Sequence, residues 1–156
     1  MTIEERSGWF GSDYDIQTPT SIFTARNKRA LFHRGFELIA EDGTNAGFIE
    51  PEDSFWGDRF VFRMPDENVY HFAREKFWSQ VYLCMGESAP YRFYTRESTI
   101  FKDNQQIATI QKRIRFWKGA LYEINMSSEA DSLVVACMVI LAHTIAQAAD
   151  DVIIVD

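Results

Sequence analysis

The sequence predicts a mainly β protein, a closed β-barrel of about 12 strands around a central hydrophobic C-terminal α-helix. Three observations predict this fold. Short apolar runs separated by turn residues extend from Thr20 to Asn125, aromatic residues make up 15% of the chain, and one long apolar stretch follows near the end. The length of 156 residues fits a single domain with one core.

The first predicted strands are joined by recognisable turns. "FELIA" (Phe36–Ala40) leads into Asp42-Gly43, a pair that tolerates a tight reversal, and "AGFIE" returns. In "RFVFRM", Phe60, Phe62 and Met64 alternate with polar or smaller residues, as expected of a strand with one buried face. A proline-led turn, "PDEN", then separates this strand from "VYHFA".

The later strands contain an internal similarity. "FWSQVYLCM", "YRFYT" and the segment "STIFKDNQQIATIQKRIRFWKGALYEINM" continue the β pattern, with turns at Asp103-Asn104 and Lys118-Gly119. Within it, "IFKDNQQIATI" matches the earlier "IAEDGTNAGFI" at a constant offset of 61 residues. Duplication of a hairpin and coincidence between two hairpins with similar turns both explain this match.

The apolar stretch "LVVACMVILAHTIAQAA" predicts a buried helix over residues 131–149, capped by Asp131 or Ser128. Its first turns have no polar stripe, so it does not fit a surface helix. Only ten clean apolar residues precede His143, and acidic residues follow, so we expect no transmembrane span. A helix buried on all sides needs a surrounding sheet. Small side chains on the helix would let the strands approach closely, and these are Ala136, Ala142, Ala146 and Ala149.

We expect residues 1–19 to be a loosely ordered N-terminal segment and residues 20–156 to form the barrel domain. The N-terminal stretch contains acids and lacks the apolar core of a secretory signal, which predicts a cytoplasmic protein. The net charge of −7 argues against nucleic acid as a partner. Cys84 and Cys137 have no disulfide or metal spacing and are interpreted as small buried thiols.

The order of these segments resembles the tubby C-terminal-like superfamily. The resemblance is carried by the hairpins "EDGTNAGFI" and "FKDNQQIATIQKR", then "ALYEINM", then an acidic residue that opens "DSLVVACMVILAHTIAQAAD". It covers roughly Ser21 to Asp150, and the plant LURP-one-related proteins, their bacterial relatives and the phospholipid scramblases look most similar. The motifs are turn and hydrophobic patterns rather than a catalytic signature.

The resemblance implies a twelve-stranded barrel around a hydrophobic helix. It also implies recognition of phosphoinositide head groups, which tubby proteins bind through basic residues on the barrel. Scramblase-like calcium binding does not carry over, because "NMSSEAD" offers only Glu129 and Asp131 as acidic ligands. We therefore expect no metal, no cofactor and no scramblase activity.

The basic segment "QKRIRFWKG" is the candidate binding site for an anionic head group. If it is extended, Gln111, Arg113, Arg115 and Trp117 share one face, and Lys112, Ile114, Phe116 and Lys118 share the other. Arg113, Arg115 and Lys118 would hold a phosphate, with Trp117 at the bilayer interface. A solvated strand face whose charges resist aggregation is the alternative interpretation.

Other candidate groups carry weaker signals. "ARNKRALFHRG" contributes Arg26, Lys28, Arg29 and Arg34, which would either join the first basic segment or balance the 23 acids. His33, His71 and His143 lie in no motif, and His143 is interpreted as a buried, hydrogen-bonded side chain. Phosphate loops, nucleophile elbows and HExxH motifs are absent from the sequence, which predicts a non-catalytic protein.

The sequence leaves two partners open. The first is an anionic phospholipid surface, with the protein peripheral at the membrane. The second is another protein. In that case this chain would be an inhibitor or immunity-type protein that binds its partner through its own acidic surface. A lipocalin-like carrier would need an empty barrel with the apolar helix outside it, which the sequence disfavours. The sequence does not determine the oligomeric state.

Overall fold

The fold was analysed in a computed structural model. The structure describes residues 1–8, 11–28, 35–52, 59–76, 79–87, 90–116 and 118–155, with side chains as far as Gln147. Arg29, His33, Arg34 and Trp117, named above, lie outside the described residues.

The described residues form a closed antiparallel barrel of twelve strands, which confirms the predicted fold class. The strands follow chain order around the barrel, and β1 pairs with β12 to close it. Their bounds are β1 Thr2–Gly8, β2 Gly11–Gln17, β3 Ile22–Asn27, β4 Phe36–Ala40, β5 Asn45–Pro51, β6 Arg59–Arg63, β7 Val69–Arg74, β8 Val81–Met85, β9 Tyr91–Tyr94, β10 Thr99–Lys102, β11 Gln105–Arg115 and β12 Gly119–Met126.

The N-terminal residues correct one prediction. Residues 1–19 were expected to be loosely ordered, but β1 and β2 are full members of the barrel. Thr2 lies opposite Glu123 of β12 and also opposite Gln17 of β2, so β1 is the strand that closes the barrel. Ile3 and Ile16 point inward and are fully buried, which ties these strands to the core.

Positive backbone angles occur where the sequence predicted turns. Asp103 and Asn104 have φ values of 49° and 64°, the left-handed pair that a two-residue hairpin requires. Gly119 has a φ of 80° at the start of β12, directly after the turn from β11, a conformation that glycine adopts without steric cost. These turns therefore adopt the conformations that their residue types favour.

The two similar hairpins, β4–β5 and β10–β11, lie six strands apart around the barrel. Both contain an irregularity of register that leaves one extra residue in the second strand, Ala46 in β5 and Ile107 in β11, which are also 61 positions apart. Their shared bulge extends the sequence similarity to the backbone. Whether they arose by duplication stays a prediction.

The final helix, α1, runs from Ser132 to Val155 and follows a short 3-10 turn over Glu129–Asp131. It begins one residue later than predicted and continues past the expected end at residue 149. The terminal "VIIV", residues 152–155, continues the helix in its backbone. At 24 residues the helix is about 36 Å long, enough to traverse the barrel and extend beyond it.

Ten consecutive helix residues, 134–143, are buried, as expected of a rod enclosed by the sheet. They pack with the inward-facing side chains of the strands in one hydrophobic cluster. Ala136 and Ala142 are buried as predicted, whereas Ala146 is exposed and therefore does not serve strand approach. Residues 129–147 are apolar and long enough to cross a membrane, with a mean hydropathy of 1.6, but 67% of that window is buried inside the protein.

The helix defines two ends of the barrel. Asp131, at its start, lies beside Tyr91 and Lys102, and we call this the Asp131 end. His143, three turns later, lies beside Glu5 and Tyr122, and we call this the His143 end. Cys84 and Cys137 are free and buried between them, and burial raises the pKa of both thiols.

Candidate functional site

At the His143 end, the β11–β12 hairpin extends past the end of β10, which forms the rim of the barrel on that side. In the described part of the chain, β10 pairs with β11 only as far as Thr109, after which Ile110 N donates to Ser98 O at 2.9 Å. Residues 111–115 of β11 then pair with β12 alone. At about 3.3 Å per residue, this one-sided segment is roughly 16 Å long.

The strand register fixes which way each side chain of this segment points. Lys112 lies opposite Tyr122 and Ile114 opposite Ala120, so both belong to the face that lines the barrel interior. In the described part of the chain, β10 ends at Thr99, opposite Thr109, so no described strand pairs with this edge of β11 further on. Ile114 is therefore 84% exposed although Ala120 beside it is only 3% exposed, and Phe116 at the turn is 82% exposed.

Arg113 and Arg115 lie on the opposite, outer face, as the sequence alternation predicted. Arg113 pairs with Glu123 at 3.3 Å, and Arg115 pairs with Glu4 at 3.0 Å while also donating to the backbone oxygen of Lys118 at 3.3 Å. The Arg113–Glu123 pair is solvent-exposed, and such pairs contribute about 0–1 kcal/mol, so an anionic ligand can displace this carboxylate. Arg115 is only 26% exposed.

The structure brings three of the four predicted site residues together at the hairpin tip. Arg113, Arg115 and Lys118 are within six consecutive positions on either side of the turn, and Trp117 lies outside the described residues. Lys112 adds a fourth cation, its Nζ 5.8 Å from the centre of the Tyr122 ring. Among the residues that the structure describes, neither Lys112 nor Lys118 forms an ion pair with a carboxylate.

A buried carboxylate holds the base of the hairpin. Glu5 is only 2% exposed, and its Oε1 accepts the backbone N–H of Ala120 at 2.9 Å. A side chain at Gly119 would lie 2.9 Å from the backbone oxygen of Glu5, so the absence of a Cβ there allows this close approach. The first strand thus fixes the point at which the hairpin leaves the barrel.

Glu5 also binds the helix and the second strand. Its Oε2 accepts Ser12 Oγ at 2.8 Å, His143 Nε2 at 3.2 Å and Gln147 Nε2 at 3.2 Å. Burial by itself would raise the pKa of Glu5, but the hydrogen bonds from His143, Ala120 and Ser12 outweigh it and lower that pKa to about 2. The carboxylate is therefore ionised and fully hydrogen-bonded at neutral pH.

His143 extends this network to β12. With Nε2 donating to Glu5, its Nδ1 is placed to accept the Tyr122 hydroxyl at 2.5 Å. Burial raises the pKa of Tyr122, so the phenol keeps its proton. This geometry confirms the interpretation of His143 as a buried, hydrogen-bonded side chain, at 7% exposure.

The Asp131 end contains a smaller polar group. Asp131 Oδ1 accepts the Tyr91 hydroxyl at 2.6 Å and the Lys102 ammonium at 3.0 Å, and Glu129 accepts the Thr20 hydroxyl at 2.6 Å. Both acids that precede the helix thus have protein partners. Within the described ranges no three histidine, cysteine or acidic side chains are grouped as a metal site would need.

The second basic segment is separate from the hairpin. Arg26 pairs with Glu37 at 3.1 Å and Lys28 with Glu50 at 3.6 Å, on strands that β12, β1 and β2 separate from β11. These pairs fit the interpretation that the segment balances neighbouring acids. His71 pairs with Glu52 on the outer surface.

Sequence reasoning missed the exposure of Ile114 and Phe116. The alternation of "QKRIRFWKG" placed Ile114 correctly on one face of an extended strand, whereas Phe116 lies in the turn that follows β11. An apolar side chain in a barrel strand is usually core. The available signal was the difference in strand length between turns: β11 has 11 residues and β10 has four. A strand that is longer than its neighbour has an unpaired edge beyond the point where the neighbour ends.

The fold and the hairpin together define a helix-filled β-barrel with a basic and apolar tip at one end. Comparisons with protein-family models, with curated proteins and with solved structures give no match to this chain.

Proposed function

We propose that this chain is a non-catalytic binding module that recognises anionic phospholipid head groups through the tip of the β11–β12 hairpin. The observation that carries the proposal is the clustering of Lys112, Arg113, Arg115 and Lys118 at one projecting tip of a chain whose net charge is −7. Arginine and lysine near a negatively charged leaflet each contribute about 1 kcal/mol of attraction.

The distribution of charge supports one orientation at a membrane. An anionic surface attracts the tip and repels the acidic remainder of the protein. At physiological salt the Debye length is about 8 Å, so groups further from the lipid than this are largely screened. Cations of the tip that touch the lipid therefore act on it at short range, while the more distant acidic groups of the protein are largely screened from it.

The position of α1 also supports a surface site rather than an internal one. The helix occupies the barrel interior with ten consecutive buried residues, where a carrier would hold its ligand. The tip instead presents Arg113 and Arg115 on one face of a two-stranded ribbon and Lys112 with Ile114 on the other.

Vesicle sedimentation tests the proposal. Phosphatidylcholine vesicles with graded phosphatidylserine or phosphoinositide content should sediment the protein, more strongly at low salt than at physiological salt. Arg113→Ala plus Arg115→Ala should weaken the partition about tenfold or more, since two cations near the surface contribute about 2 kcal/mol together.

The matched control removes the same charge at the other end of the barrel. Arg63 and Arg92 lie on outward faces of β6 and β9, and Arg63→Ala plus Arg92→Ala should leave sedimentation nearly unchanged. An equal loss of vesicle binding in both double variants would show that binding depends on the net charge of the protein and not on the hairpin tip. Failure of the wild-type protein to sediment with anionic vesicles at either salt would overturn the proposal and favour a protein partner.

A further inference from the structure

We infer that Ile114 and Phe116 insert into the interfacial layer of an anionic bilayer, so that the hairpin tip is an apolar wedge as well as a charged contact. This inference rests on the proposed function and adds to it a component of binding that salt does not remove.

The first argument is the exposure of these two side chains. Among the described residues, the large exposed hydrophobic side chains are Ile22 at 41%, Met85 at 48%, Ile114 at 84% and Phe116 at 82%. The two most exposed are two positions apart at the same tip. Leaving an isoleucine and a phenylalanine in water forgoes a large hydrophobic stabilisation, so their placement indicates a surface that covers them on binding.

The second argument is the chemistry that surrounds them. Lys112 precedes Ile114 on the same face, Arg113 and Arg115 lie on the other face, and Lys118 follows Phe116 across the turn. Long cationic side chains can keep their charged ends at the phosphate level while their stems follow an apolar neighbour into the interface. Apolar residues flanked by lysine and arginine in this way are complementary to an anionic bilayer.

The same charges disfavour the other occupants of an exposed β edge. Residues 111–115 have β12 on one side only in the described part of the chain, which would otherwise invite an added strand. Lysine and arginine on such an edge oppose strand pairing. A second copy of the chain would bring an identical cationic tip, so self-association through this edge is opposed by like charge.

The third argument is that the tip has a rigid base. Ala120, which pairs with Ile114, donates its N–H to the buried carboxylate of Glu5, and Glu4 beside it pairs with Arg115. Both faces of the hairpin are thus held by β1. Insertion of a pre-organised tip loses less conformational entropy than insertion of a free loop.

The test separates insertion from electrostatic attraction. The variant Ile114→Thr plus Phe116→Ser keeps every charge and a β-branched residue in the strand. Ile22→Thr plus Met85→Ser is the matched control, because these exposed residues lie at the ends of β3 and β8 near the Asp131 end. Sedimentation with phosphatidylserine-containing vesicles is measured at low and physiological salt, together with the rise in surface pressure of a phosphatidylserine monolayer.

We expect the tip variant to retain most of its binding at low salt, to lose at least tenfold at physiological salt, and to cause little rise in pressure. The control should match the wild-type protein in all three measurements. Insertion would be overturned if physiological salt abolished binding of the wild-type protein and the tip variant behaved like the wild-type protein in both assays. Head-group recognition would remain supported in that case. Absence of wild-type binding at low salt would overturn both. A thermal melt of each variant verifies folding, and Phe116→Ser alone gives the same comparison if the strand substitution lowers Tm.

Discussion

The carboxylate of Glu5 lies 3.2 Å from Nε2 of His143, joining the first strand to the central helix across 138 positions of the chain. Both side chains are buried, and the same carboxylate accepts the N–H of Ala120 at the base of the β11–β12 hairpin. One ionised group therefore connects barrel closure, helix position and the candidate binding tip.

Replacing Glu5 by glutamine should lower the free energy of unfolding by about 2–4 kcal/mol, because an amide cannot accept all of the donors that converge on this carboxylate. Urea denaturation measures the change. Glu4→Gln is the matched control: Glu4 pairs with Arg115 on the surface, and its loss should cost less than about 1 kcal/mol. Similar losses in both variants would show that Glu5 makes no special contribution.

The stability contribution of Glu5 should disappear in acid. Its pKa is lowered from the ordinary 4.5 to about 2, so the unfolded chain binds the proton more readily between these values. The contribution, about 3 kcal/mol, is present above pH 5 and is lost as the pH falls toward 2. The difference in unfolding free energy between the wild-type protein and Glu5→Gln should therefore narrow over this range. A difference that stays constant with pH would contradict the assignment.

At the other end, Tyr91 and Asp131 should be energetically coupled. The Tyr91 hydroxyl donates to Asp131 Oδ1 at 2.6 Å, where both side chains are buried. A double-mutant cycle with Tyr91→Phe and Asp131→Asn should give a coupling of about 0.5–3 kcal/mol in unfolding free energy. Pairing Tyr91→Phe with Glu5→Gln, at the opposite end, should give additive effects.

The barrel interior should reject a larger helix side chain. Ala136 is fully buried, and Ala136→Leu should lower the free energy of unfolding by about 1–3 kcal/mol or more through overpacking. Ala146→Leu on the same helix is the control, since Ala146 is exposed and leucine is nearly as good a helix former as alanine. Chemical denaturation of both variants measures the contrast. Equal stability of the two would contradict the enclosed position of the helix.

Local patterns in the sequence were sufficient for much of the fold. The positive φ values of Asp103, Asn104 and Gly119 occur in or directly after turns, where these residue types are favoured. The burial of residues 134–143 follows from an apolar run with no polar stripe, because such a helix has no face that water can stabilise. These features depend on neighbours along the chain.

The N-terminal strands were missed because their pattern has meaning only in the closed barrel. Glu5 occupies an inward position of β1, so the alternation of "TIEERSG" does not read as a strand with one apolar face. Its partners Ala120 and His143 are more than 100 positions away. A buried carboxylate is tolerated only where donors from several elements meet, and that meeting is not visible in the local sequence.

The sequence by itself therefore determined the turns, the apolar character of the final helix and the basic character of the β11 end, since each is set by residues that are near neighbours along the chain. Tertiary structure alone decided three other features: closure through β1, the ion pairs of Arg113 and Arg115 with Glu123 and Glu4, and the exposure of Ile114 and Phe116 beyond the rim. Each depends on which distant strand lies alongside and where that strand ends. The same apolar residue is buried in the core where the adjacent strand continues alongside it, and exposed at the surface where the adjacent strand has ended.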